Sequence, residues 1–171
     1  MKALTIWQPW ASLIMAGVKP YEFRSWAAPR SLVGQRIAIH AGARPMRAAE
    51  IHELLEHLGL PRTARGTGLA VAASIPILER AWRRPELFPL KHVLGTALLG
   101  QPRRACEIYP DDFSSDSDRL EHSNWAWPLT AIEHLEPPVP ARGAQGLWDW
   151  HSSLLPGEAG EVSRSPATEG S

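Results

Sequence analysis

Thr5-Ile6-Trp7-Gln8-Pro9-Trp10, an apolar run to Ala16, and then Gly17-Val18-Lys19-Pro20-Tyr21-Glu22-Phe23-Arg24-Ser25-Trp26 form the stretch on which the fold of this chain turns. Lys2 to Ile6 is β-prone and stops at Gln8-Pro9. Pro9 suits the first turn of a helix, where its missing N–H costs nothing. Trp10 to Met15 is helix-compatible, and Gly17 is a natural C-cap. Tyr21 to Trp26 then alternates, so an extended chain places Glu22, Arg24 and Trp26 on one face and Tyr21, Phe23 and Ser25 on the other. Lys19 sits in the turn that leads into this strand. Three Trp, a Lys, a Glu and an Arg around one Gly-marked turn predict one wall of a small-ligand or nucleotide cleft.

Outward from that stretch, Gln35 to Ala41 reads as a strand with Ile37 and Ile39 on one face and His40 near its end. Met46 to Leu58 reads as an amphipathic helix, with Ile51, Leu54, Leu55 and Leu58 at helical spacing. Its His52-Glu53-Leu54-Leu55-Glu56-His57 looks like a zinc-protease helix only superficially. The second His is five positions on, about 140° around the helix from the first, so no metal is expected. Leu69 to Glu79 is dense in small and β-branched residues and predicts a buried strand, with Pro76 marking an edge or bulge. Residues 82 to 123 carry Pro85, Pro89, Pro102 and Pro110, a short helix expected from Pro89 to Gly100, and an acidic, Ser-rich loop from Asp111 to Asp118. They read as an insertion or lid. Trp125 to Leu135 returns to strand character, Pro137 to Pro140 is a stiff connector, and Arg142 to Trp150 is a Gly-rich turn into a closing strand. From Ser152 the composition predicts a disordered tail. The expected organisation is one mixed α/β (α+β) domain over 1–151, a tail over 152–171, and a small five- to six-stranded, mostly antiparallel pseudo-β-barrel with flanking helices.

At 171 residues, 44% hydrophobic and 21% charged, the chain has the make-up of one ordinary globular domain. No apolar run approaches the ~18 residues needed to span a bilayer, so no membrane partner is expected. The single cysteine, Cys106, cannot form an internal disulfide, and a cytoplasmic setting is the expectation. The net charge of zero conceals a division. Residues 1–105 hold 15 Lys and Arg against 6 Asp and Glu, and residues 106–171 hold 3 against 12. A basic segment suits phosphates. The plainer reading is that the two halves pair with each other.

Four motifs occur in order: Thr5-x-x-Gln8-Pro9-Trp10-Ala11-x-Leu13-Ile14, Gly17-x-Lys19-x-x-Glu22-x-Arg24-Ser25-Trp26, Ile37-x-Ile39-His40-Ala41 and Gly143-x-x-Gly146-Leu147-Trp148. Together they resemble the ASCH domain, the activating signal cointegrator homology domain, over roughly residues 2–151. The resemblance implies a PUA-like pseudo-barrel whose signature Lys, Glu and Arg line a cleft. It also implies a nucleic-acid or nucleotide context, since PUA-like folds commonly bind RNA. Some small bacterial members hydrolyse amides such as N4-acetylcytidine, and one has been described as a ribonuclease. A shared fold does not choose among these.

A binding module needs cations for phosphate, a stacking face and a hydrogen-bonding edge. Lys19, Arg24 and Arg30 can supply the first, Trp7, Trp10 or Trp26 the second, and Gln8, Glu22 and His40 polar contacts at the rim. For Arg24 the structural alternative is a salt bridge to Glu22, and for the tryptophans it is the core. The alternative function is a small hydrolase of modified nucleosides or RNA, with Lys19, Glu22 and Glu79 as catalytic groups. In the amidohydrolase members a Thr stands three positions after the Lys. The Glu22 of this chain cannot take the part of that hydroxyl, and this ranks binding ahead of catalysis. The expected partner is nucleic acid, RNA ahead of DNA, or a nucleotide or nucleoside. No cofactor is expected. Lys19→Ala and Arg24→Ala are expected to weaken binding with little change in stability.

Overall fold

Seven strands join in one curled sheet that forms a half-barrel, with four helices around it, in the computed structural model, which describes residues 1–60, 67–108 and 125–151. In chain order the elements are β1 (Lys2–Ile6), α1 (Trp10–Met15), β2 (Tyr21–Arg24), β3 (Arg36–Ala41), α2 (Ala48–Gly59), α3 (Val71–Arg83), β4 (His92–Leu99), β5 (Arg103–Arg104), α4 (Ala105–Ile108), β6 (Trp125–Pro140) and β7 (Leu147–Asp149). The sheet order is β2-β6-β4-β3-β1-β7, with β5 also paired to β6. Only β1 and β3 run parallel, with Thr5 opposite His40. The other pairings are antiparallel, so the expected α+β architecture with a mostly antiparallel, curled sheet is present, as a seven-stranded half-barrel where five to six strands were expected.

Strand alternation divides the core into layers. Leu4, Ile37, Ile39, Leu94 and Trp127 pack with Ile14 and Met15 of α1 on one face. Ala3, Ala38, Val93 and Trp150 form a smaller cluster of their own. The opposite side of α1, through Leu13, meets Ile51, Leu54 and Leu58 of α2 and Leu78 and Ala81 of α3. This six-residue helix is therefore held by burial on two sides, at about 1.5–3 kcal/mol per large apolar side chain, because one so short is marginal alone.

Three sequence expectations are corrected. Leu69 to Glu79 is not a strand: it enters α3, whose buried positions Ser74, Leu78 and Ala81 keep helical spacing. Pro76 lies inside this helix, and Ser74 Oγ donates to the Ala70 carbonyl. The expected helix from Pro89 to Gly100 is instead strand β4, paired on both sides in the sheet. The insertion or lid expected over 82–123 thus contributes a central strand. A strand buried on both faces shows no alternation and cannot be told from a buried helix by period. The Pro137–Pro140 connector likewise belongs to β6, with Val139 opposite Val93. The acidic loop Asp111–Asp118 and the tail from 152 lie outside the described residues. Among the described residues no helix is long and apolar enough to cross a membrane.

Candidate nucleic-acid interface

The open end of α1, the rim of β2 and β3, the start of α2 and the loop between β6 and β7 enclose a broad cleft of about 1820 Å³. Among the described residues, five cationic side chains line it, Arg24, Arg44, Arg47, Lys91 and Arg142, against three carboxylates, Glu22, Glu50 and Glu53. Trp7, Trp10, Phe23 and Trp26 supply aromatic surface.

β2 delivers Glu22 and Arg24 on one face, and the Arg24 Nη2 group meets Glu22 Oε1 at 3.0 Å and donates to the Thr5 carbonyl at 2.8 Å. Arg24 Nε is the single buried side-chain nitrogen or oxygen without a partner among the described residues. Trp7 follows β1 and is 51% exposed. The Arg44 guanidinium lies over its ring at 4.3 Å from the centroid and is held by Glu50, which also lies 3.9 Å from Arg47. Trp26 is exposed and packs edge-on against Trp127 at 4.7 Å. Of the five cations, Lys91 and Arg142 are exposed and make no ion pair among the described residues.

Several predicted site residues fall elsewhere. Lys19 is only 1% exposed and lies behind the cleft wall, its Nζ 5.2 Å from the Trp10 ring centre and 4.9 Å from that of Phe23. Gln8 is buried, donating to the Pro89 carbonyl at 3.0 Å and accepting from the Ser12 N–H at 3.1 Å, so it fastens α1 to the segment before β4. Arg30 stands exposed in a 3-10 turn outside the cleft wall. Glu79 lies on α3, 3.5 Å from Arg83, and does not line the cleft. Lys19, Glu22 and Glu79 are therefore not brought to one open face. Trp7, Trp10, Glu22, Arg24, Trp26 and His40 are.

His40 lines the cleft, yet its ring is occupied. Nε2 is 3.1 Å from the Ala141 carbonyl and so carries the proton, and Nδ1 is 3.1 Å from Thr5 Oγ1. The Thr5 hydroxyl has one proton, which goes to the nearer acceptor, the Ala144 carbonyl at 2.6 Å, so His40 Nδ1 only contacts the hydroxyl oxygen, which accepts from Trp148 Nε1–H at 3.0 Å. Thr5 and His40, paired across β1 and β3, thereby anchor the 141–146 loop. Burial lowers the His40 pKa below 6.5, assisted by His92 and opposed by the Ala141 carbonyl. The unfolded chain then binds more protons between the two pKa values. The stability that His40 contributes is complete above 6.5 and is lost as pH falls toward the folded value. Urea midpoints between pH 5 and 7.5 are expected to rise more steeply with pH in the wild type than in His40→Gln; equal slopes would remove His40 as the cause.

Thr5, Arg44, Arg47, Lys91 and Arg142 are cleft residues that sequence reasoning missed. Thr5 stood in the first motif and Arg142 beside the last, but the sites of Arg44 and Lys91 depend on chain reversals that no local pattern marks. Among the described residues no group of three or more His, Cys, Asp or Glu is placed to hold a metal ion.

Curled sheet, packed short helix and cationic, tryptophan-lined cleft define a PUA-like α+β domain, a class associated with RNA binding or related functions. A family model for the ASCH domain matches residues 4–115, and the chain belongs to the ASCH domain family. No curated protein matches the chain.

Proposed function

We propose that this domain binds RNA in the cleft between β2, α2 and the β6–β7 loop. The observation that carries the reading is the composition of that wall: five cations and two exposed indoles around a volume of about 1820 Å³. Pockets that enclose one small ligand run to roughly 300–1,000 Å³, so the cleft is sized for a segment of polymer. Trp7, backed by Arg44, and Trp26 offer stacking faces, each contributing about 1–3 kcal/mol where a base stacks. Arg24 Nε, a buried donor lacking an acceptor among the described residues, gains one if a ligand oxygen reaches the cleft floor.

The hydrolytic alternative is weaker. It requires Lys19, Glu22 and Glu79 to meet one substrate, and Glu79 is paired with Arg83 on α3, outside the cleft lining. Fluorescence anisotropy with a labelled single-stranded oligoribonucleotide is expected to give a micromolar Kd that rises steeply with KCl, and weaker binding for Trp7→Ala and Arg44→Ala. Affinity that does not change between low and high salt would sink the reading.

A further inference from the structure

We infer that the Arg142-Gly143-Ala144-Gln145-Gly146 loop is a phosphate subsite, in which backbone N–H groups with Lys91 and Arg142 clamp the sugar–phosphate chain of the bound nucleic acid. This rests on the RNA-binding reading above and adds to it which groups hold the phosphates.

Ala141 C=O meets His40 Nε2, Ala144 C=O accepts from Thr5 Oγ1, and Gly146 C=O accepts from the Thr5 N–H at 3.2 Å. Three acceptors, two of them in the loop and one on the residue before it, are thus turned toward β1 and β3 and occupied there. The peptide units 141–142 and 144–145 are trans, and in a trans unit the N–H points opposite to its C=O. The N–H groups of Arg142 and Gln145 therefore point away from Thr5 and His40, on the open side of the loop. Neither has a backbone acceptor among the described residues. A chain whose carbonyls are turned in and whose N–H groups are turned out presents a positive face, the arrangement that makes backbone concavities bind anions.

Two further features fit an anion. Ala141 N–H donates to the Lys91 carbonyl at 2.9 Å, which ties Lys91 to the start of the loop. Lys91 and Arg142 are the two cleft cations that have no carboxylate beside them among the described residues, whereas Arg24 and Arg44 are each held by a glutamate. The glycines are needed where they stand. A Cβ at Gly143 would overlap the His40 imidazole, and Gly146 has φ +72°. Close backbone approach through a Gly-x-x-Gly loop is a known way of gripping a nucleic-acid backbone.

The test uses the full chain and a labelled oligouridylate of about ten nucleotides, within the span of single-strand sites, with Kd measured across a KCl series. The Lys91→Ala/Arg142→Ala double variant is expected to flatten the log Kd against log salt slope by about 1.4, or ~0.7 for each phosphate no longer neutralised, with an unchanged melting temperature. Gln145→Pro deletes one outward N–H and keeps every charge, so it is expected to weaken binding about tenfold at the wild-type slope. UMP is expected to compete far less well than the oligomer. A wild-type slope in the double variant and a wild-type Kd in Gln145→Pro, with Arg44→Ala still weakening binding, would overturn the subsite and leave the cleft reading standing. UMP competing as tightly as the oligomer would overturn the backbone clamp in favour of a mononucleotide pocket. No binding by the wild-type chain would overturn both readings.

Discussion

Lys19→Ala is expected to lower the unfolding free energy by about 3 kcal/mol, as a drop in the urea midpoint at unchanged slope. The side chain is almost wholly buried between Trp10 and Phe23, so truncation leaves a cavity and removes a desolvated cation–π interaction, which can contribute about 2 kcal/mol. This reverses the expectation from sequence that the substitution would be silent in stability. Lys19→Met keeps most of the volume and is expected to lose about half as much. RNA binding by refolded Lys19→Ala should weaken only as far as the β2 wall shifts. A variant that melts like wild type yet fails to bind would return Lys19 to the ligand.

Gly143→Ala is expected to cost about 1–3 kcal/mol in stability and to weaken RNA binding by at least about tenfold, 1.4 kcal/mol. The added methyl meets a ring that cannot swing aside without releasing both Thr5 and Ala141. Gly146→Ala provides the contrast. Its φ of +72° penalises a side chain by about 1 kcal/mol, but its nearest neighbour is Trp26 at 4.0 Å, so loop and binding should persist. Combining Gly143→Ala with His40→Ala makes room for the methyl, and the stability losses should be less than additive. Strict additivity would show that the His40 ring is not the source of the strain.

Much of the wall was legible in sequence because the signals are local. Alternation in Tyr21 to Arg24 places Glu22 and Arg24 together, and the structure pairs them. Gly17 ends the first helix where expected, and the apolar spacing in Ile51, Leu54 and Leu58 marks α2. Misreadings came where burial removes the pattern. His92–Leu99 is covered on both faces, so its apolar run resembles a helix, and α3 hides its period among alanines and a proline.

Charge was the least legible feature. A lysine in a turn reads as solvent-facing, and nothing within a few residues of Lys19 shows that Trp10 and Phe23 close over it. Lys2–Asp149 and Arg36–Glu133 do join the basic and acidic parts of the chain.

By itself the sequence determined the family, the β1–α1–β2 order and the shared face of Glu22 and Arg24, because turn chemistry and side-chain period act over a few residues. The tertiary structure decided which cations meet the cleft. Contacts such as Thr5 with Ala144 and His40 with Ala141 join residues more than a hundred positions apart. Packing and hydrogen-bond geometry between distant segments, rather than local preference, turn one lysine inward and leave Lys91, Arg142 and the loop donors facing out.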